Sequence, residues 1–211
     1  MSKVKGPSAF VSEAYQLGDE TGTVDFYKKW ADDYDHQMLD ELEYVAPKGI
    51  ARLLCAYLPH KDAEIFDVGC GTGLTCRFLA DNGYKALDGI DLSPDMVRVA
   101  GEQGIYRDLI VGDVNQPIKR PTASYDGVIS SGTFTHGHVG PEPLDDIFRI
   151  LRPGGVLACT VHRELWESRG FKQKFEALVS SGSTRCLELK TDRYYETDNT
   201  EGWFCVYQKI S

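Results

Sequence analysis

The sequence predicts an α/β fold: a mostly parallel sheet covered by helices on both faces. Three observations carry this. From residue 64 onward short β-rich runs alternate with helix-length amphipathic segments, a glycine-rich turn follows the first run, and the last two runs have no helix between them.

Taken in order, the β-rich runs lie at about 64–68, 86–90, 108–111, 125–130 and 155–161. Between and after them, helical periodicity covers 74–82, 94–102, 143–152 and 170–180. The chain then changes character. Residues 184–190 and 203–209 alternate apolar with polar, and the stretch joining them, Thr-Asp-Arg-Tyr-Tyr-Glu-Thr-Asp-Asn-Thr-Glu-Gly, is polar and turn-rich. Two such strands pair antiparallel at one edge of the sheet. No repeat, low-complexity tract or interdomain linker interrupts the sequence, so residues 1–211 are expected to form a single domain.

Composition narrows the classes of function. The chain has 211 residues, of which 42% are hydrophobic, enough for one real core. No apolar run approaches the ~20 residues of a membrane span, and no secretory signal stands at the amino terminus, so a cytoplasmic protein with no membrane contact is expected. A net charge of −9 repels polyanions and argues against nucleic acid as a partner. The six cysteines form no C-x-x-C pair and mostly sit in apolar runs, as buried thiols of a reducing compartment do.

In an open α/β sheet, ligands gather beyond the carboxyl ends of the strands. The first strand ends in Asp67-Val-Gly69-Cys70-Gly71-Thr-Gly73. Its glycines let backbone approach a ligand, and the helix that follows offers free N–H groups; a tight turn with no ligand is the bland alternative. A dinucleotide fingerprint would need glycine at position 74, which is Leu74, and a P-loop would need a lysine that is absent. An acid at the strand end suits a ligand carrying positive charge, such as an amino group or a sulfonium. Asp91 ends the second strand, 20 residues after Gly71, where a carboxylate can accept both hydroxyls of a ribose. The alternative, an acid serving the next helix, competes with Ser93 and Pro94, which already start that helix well. Asp113 with Val114 ends the third strand, as an adenine edge requires or as a plain surface turn provides.

Together these segments, with Tyr125-Asp126 and Leu151-Arg-Pro-Gly-Gly155, resemble the class I S-adenosylmethionine-dependent methyltransferases over about residues 25–165. The resemblance implies a Rossmann-like seven-stranded sheet of order 3-2-1-4-5-7-6 with an antiparallel final hairpin. It also implies S-adenosyl-L-methionine as cofactor and S-adenosyl-L-homocysteine as product. By matching position, Asp67, Gly69, Cys70 and Gly71 would lie beside the methionyl part and Asp91 would take the ribose. Leu92 and Met96 would flank the adenine, Asp113 and Val114 would recognise its edge, and Ser130 would border the site.

Tyr27, Trp30 and Tyr34 fall at i, i+3 and i+7 on one helical face. Such a stripe packs a core or, as the Tyr-x-x-Trp-Ala-x-x-Tyr-Asp pattern resembles, closes over the cofactor in small-molecule methyltransferases. It is most similar to the group around the methyltransferase-like protein of the Williams–Beuren syndrome region. Residues 1–45 are therefore expected to form a lid, and aromatic faces suit a sulfonium. The acceptor should approach the loop Ser130-Ser-Gly-Thr-Phe-Thr-His136-Gly-His138-Val, where His136 or His138 could act as base or simply decorate a polar loop. Just past the fifth strand, His162 and Arg163 are further candidates for meeting an acidic acceptor. No acid or cysteine stands near the H-x-H at ligand spacing, so no metal is expected. The expected activity is methyl transfer to a small-molecule acceptor by a monomer or weak homodimer. A cofactor-binding protein without transfer and a protein methyltransferase are the rival readings.

Overall fold

The computed structural model describes residue 31 and residues 34–135, 139–197 and 199–211. Seven strands form one sheet: β1 (Glu64–Val68), β2 (Ala86–Asp91), β3 (Asp108–Val111), β4 (Tyr125–Phe134), β5 (Leu151–His162), β6 (Thr184–Arg193) and β7 (Glu201–Lys209). Their order is β3-β2-β1-β4-β5-β7-β6. The first five are parallel, while β7 pairs antiparallel with both β5 and β6. The expected order and final hairpin are both present.

Side-chain alternation along the strands builds a core on each face. Ile65, Leu87, Ile129 and Ala158 join Ile50, Leu54 and Leu79 on one side. Phe66, Val68, Val128 and Leu157 meet Leu144, Ile147, Phe171 and Phe175 on the other. The helices are α1 (Ala46–Tyr57), α2 (Leu74–Asp81), α3 (Pro94–Glu102), α4 (Leu144–Ile150), α5 (Leu165–Ser168) and α6 (Phe171–Ser180). A helical turn at Tyr34–His36, widening into a π turn at Gln37–Glu41, precedes them.

α1 and α5 have no counterpart among the expected elements. Yet α1 carries Pro47 in its first turn and buries Ile50, Ala51 and Leu54, a visible helical stripe. The expected helix over 143–152 stops at Ile150, because Leu151 already pairs with Tyr125 and starts β5, with an irregular register before Gly127 meets Val156. β4 also runs past its expected end to Phe134, with a shift in pairing after Ser130. The loop beyond β4 therefore begins at Thr135.

The polar turn between β6 and β7 folds back onto the amino-terminal segment. Val45 and Ala46 donate to the Tyr194 carbonyl, and Tyr44 bridges Tyr195. Tyr194 fills the space above Gly202, where an added Cβ would stand 2.2 Å from its ring. Gly202→Ala is expected to destabilise the protein by about 2–3 kcal/mol through forced displacement of this buried ring, read as a lower midpoint in urea. β6 is the outermost strand, and Arg185, Lys190, Asp192 and Arg193 along it are exposed. Among the described residues no helix is long and apolar enough to cross a membrane.

Candidate active site

The two ends of the sheet treat charge differently. At the amino ends of the strands the charged side chains are paired. Arg107 binds Asp88 and Glu64, Arg152 binds Glu64 and Asp126, and the Tyr125 hydroxyl donates to Asp88. These guanidinium contacts hold the Glu64 and Asp126 carboxyls below their usual range. That end is structural.

At the carboxyl ends, the backbone ties three strand ends together. Gly69 and Cys70 donate to the Ile90 carbonyl at 2.9 and 3.0 Å, and Gly112 donates to the Asp91 carbonyl at 2.9 Å. Gly71 donates to Asp91 Oδ2 at 2.8 Å, and Ser93 donates to Asp91 Oδ1 at 2.9 Å. The turn needs its glycines: Gly69 and Gly71 have φ of +69° and +52°. A Cβ on Gly69 would strike Thr133 Oγ1, whereas nothing lies within 4 Å of the corresponding point on Gly71. The loop is thus packed on its inner side and open above Gly71.

Asp67 is the group out of balance. It is 1% exposed; its Oδ2 accepts from the Tyr106 hydroxyl at 2.8 Å, while its Oδ1 is buried without a hydrogen-bond partner. Burial pushes its pKa up to about 6, against the pull of Tyr106 and Cys76 and with some help from the Asp91 charge. Asp91 is also raised by burial, countered by the Ser93, Gly71 and Leu92 N–H groups. An orphaned buried carboxylate oxygen next to an uncovered glycine fits a cationic ligand, as an amino acid's ammonium would be.

The remaining expected residues fall as follows. Leu92 is half-buried and Met96 buried, with the Met96 N–H capped by Ser93 Oγ at 3.3 Å. Asp113 Oδ1 accepts from the backbone and side chain of Asn115 at 2.8 and 2.9 Å, shaping the turn before buried Val114. Cys70 is buried, its sulfur against Gly89. Ser130 is fully buried and its hydroxyl donates to the Val68 carbonyl, a bond between strand ends. Tyr34 lies in the first helical turn and packs against the core around α1. Tyr27, Trp30, His136 and His138 lie outside the described residues.

Other contributors stand outside the strand-end motifs: Asp35 closes the Tyr-x-x-Trp-Ala-x-x-Tyr-Asp pattern and His162 is an expected acceptor contact, whereas Tyr44, Tyr194 and Tyr195 carry no sequence signal. Asp35 links the amino-terminal segment to the glycine turn: Thr72 Oγ1 donates to its Oδ1 at 2.5 Å, and Arg77 on α2 pairs with its Oδ2 at 2.6 Å. Beyond β4 and β5, Tyr44, Tyr194, Tyr195 and His162 form a buried aromatic wall. Tyr44 sits 5.0 Å from Tyr195 and 6.3 Å from Tyr194 between ring centroids, and His162 meets Tyr194 edge-on at 6.0 Å. His162 Nδ1 accepts the Glu164 N–H at 3.4 Å.

Comparison with known proteins bears on this geometry. The methyltransferase-domain family matches residues 66–159, spanning β1 to β5. Human methyltransferase-like protein 27 is 33% identical over 174 residues, covering 81% of this chain and 70% of that protein. The malonyl-[acyl-carrier protein] O-methyltransferase of Serratia marcescens is 33% identical over 106 residues, 50% of this chain and 41% of the relative. The chain thus spans less than half the length of that second relative. Among solved structures, one chain of the complex between the Haloferax volcanii Trm112 methyltransferase activator and a methyltransferase superposes with a TM-score of 0.66. It is 21% identical and covers 88% of this chain and 98% of its own, which speaks to the fold. Strand order, glycine turn, strand-end acids and relatives agree: the chain belongs to the class I S-adenosylmethionine-dependent methyltransferases.

Proposed function

We propose that the chain transfers the methyl group of S-adenosyl-L-methionine to a small-molecule acceptor. The observation that carries the cofactor half is the buried Asp67 Oδ1 with no partner, beside the uncovered Gly71. In this reading Asp67 pairs with the methionyl ammonium, and Gly69, Cys70 and Gly71 line that part. Asp91 accepts the ribose hydroxyls. Leu92 and Met96 border the adenine, Asp113 and Val114 meet its edge, and Ser130 supports the site by joining β4 to β1. Tyr27, Trp30 and Tyr34 close over the sulfonium as part of a lid.

When bound, the cofactor supplies an activated methyl group on a sulfonium. What the protein must add is alignment of the acceptor in line with that methyl group, and exclusion of water. The net charge of −9 supports a small acceptor over a nucleic acid, which such a field repels. Where the acceptor must lose a proton, His136 or His138 is assigned as the base.

The test is incubation with methyl-labelled cofactor and three fractions of extract: metabolites, protein and RNA. Label is expected in the metabolite fraction. Label confined to protein or RNA would replace the small-molecule reading, and tight binding with no transfer to any fraction would leave a cofactor-binding module.

A further inference from the structure

Tyr106 lies in the connection between α3 and β3, 39 positions from Asp67, and belongs to no motif. Its ring covers the outer side of the glycine turn: a Cβ on Gly73 would stand 3.1 Å from Tyr106 Cε2. Its hydroxyl donates to Asp67 Oδ2 at 2.8 Å. We propose that Tyr106 is a positioning residue of the cofactor site, holding one oxygen of Asp67 so that the other is kept ionised and free for the ammonium of the cofactor's methionyl part. This rests on the cofactor site proposed above.

The surroundings of Asp67 make Tyr106 the group that decides its charge. Among the described residues, the titratable groups facing it are Cys76 on α2, Cys70 in the turn, Asp91 at the end of β2, and Tyr106. Burial pushes both thiols well above their ordinary range, so neither carries charge near neutral pH. The nearby Asp91 charge opposes ionisation of Asp67, and among the described residues no cation offsets it. A thiol is a weak donor, whereas a hydroxyl hydrogen-bonded to a carboxylate is a strong, charge-assisted one. Burial and the Asp67 charge also push the Tyr106 hydroxyl well above its usual pKa, so it keeps its proton and remains a donor. Tyr106 thus lowers the pKa of Asp67 against desolvation. In its absence the buried acid would hold its proton to higher pH and lose its charge attraction for an ammonium.

The experiment is calorimetry on the full chain between pH 5 and 8 with two nucleosides. S-adenosylhomocysteine carries the amino-acid part; 5′-methylthioadenosine lacks it. For the unaltered protein, affinity for the first is expected to fall as pH drops through about 6, the value of Asp67. Affinity for the second should stay flat. In Tyr106→Phe, the pH midpoint for S-adenosylhomocysteine should rise by about one unit, so that its affinity falls about fivefold at pH 6 and about twofold at pH 7. Affinity for methylthioadenosine should change less than about twofold. A purely packing role for Tyr106 would weaken both nucleosides alike and leave the midpoint where it was, and that result overturns the proposal. Asp67→Asn supplies a second arm that does not depend on Tyr106→Phe folding: it should abolish the pH dependence, and an unaltered midpoint in it also overturns the proposal. Failure of the unaltered protein to bind either nucleoside is a different result, because it removes the cofactor site itself.

Discussion

Asp91→Ala is expected to weaken S-adenosylhomocysteine binding by about a hundredfold, and in any case by more than tenfold, with a smaller loss of thermal stability. Two effects add. The carboxylate that would accept the ribose hydroxyls disappears, and with it a pair of charge-assisted hydrogen bonds of about 1.5–3 kcal/mol each. The same carboxylate holds the Gly71 N–H at 2.8 Å, so the glycine turn loses the side chain that fixes its open edge. The helix behind it survives, because Ser93 Oγ caps Met96 independently. Asp91→Asn separates the two effects, since an amide oxygen can still receive one N–H but brings no charge, and its affinity should lie between the others. Calorimetry on folded variants decides; an unchanged affinity in Asp91→Ala takes this residue out of the site.

Acid is expected to move the ligand-free fold and its cofactor affinity in opposite directions. The folded-state pKa of Asp67, about 6, lies above the ordinary carboxylate value of 3.8, so between these values the folded protein binds a proton that the unfolded chain does not. Asp67 therefore adds stability as pH falls through about 6, worth about 1 kcal/mol by pH 5, and the raised Asp91 acts in the same direction. Glu64, Asp126 and Asp146 have lowered values, so their contribution is present above the ordinary carboxylate range and is lost only as pH falls below it. The window from pH 6.5 to 5 brackets the value of Asp67. Denaturation midpoints should rise there for the ligand-free protein, while affinity for S-adenosylhomocysteine drops about tenfold as Asp67 takes up its proton. In Asp67→Asn both slopes should flatten. A ligand-free midpoint that falls steadily across this window would show that Asp67 ionises at an ordinary value.

What the sequence reveals and what it hides divide along the range of the interactions. β1 and β3 lie at their expected bounds, and the strand-end acids stand at their expected places, because alternation, glycine and turn residues act over a few positions. The boundary at Ile150–Leu151 is different. An apolar run reads as helix or strand by periodicity alone, and only the pairing of Leu151 with Tyr125 settles it. The stripe in α1 is visible but short, and lies between the segment expected as a lid and the first clear strand. Tyr106, Asp35, Tyr44 and Tyr194 belong to a third class. Their partners lie 39 positions away for Tyr106, 37 for Asp35 to Thr72, and 87 for Tyr44 to Ser131. No local pattern encodes such contacts; the crossovers of the sheet create them. The strand-end turns are therefore more legible than the aromatic wall, since the first follow consecutive strands and the second assembles from distant segments.

The outer strand β6 has consequences for the protein in a crowded solution. Its free edge offers unpaired backbone groups, the kind of template on which another chain's strand can grow. Arg185, Lys190, Asp192 and Arg193 stand exposed along it. A second strand laid against this edge would strip water from charges of both signs without supplying their partners in register. Growth of the sheet beyond β6 is thereby penalised at its first step.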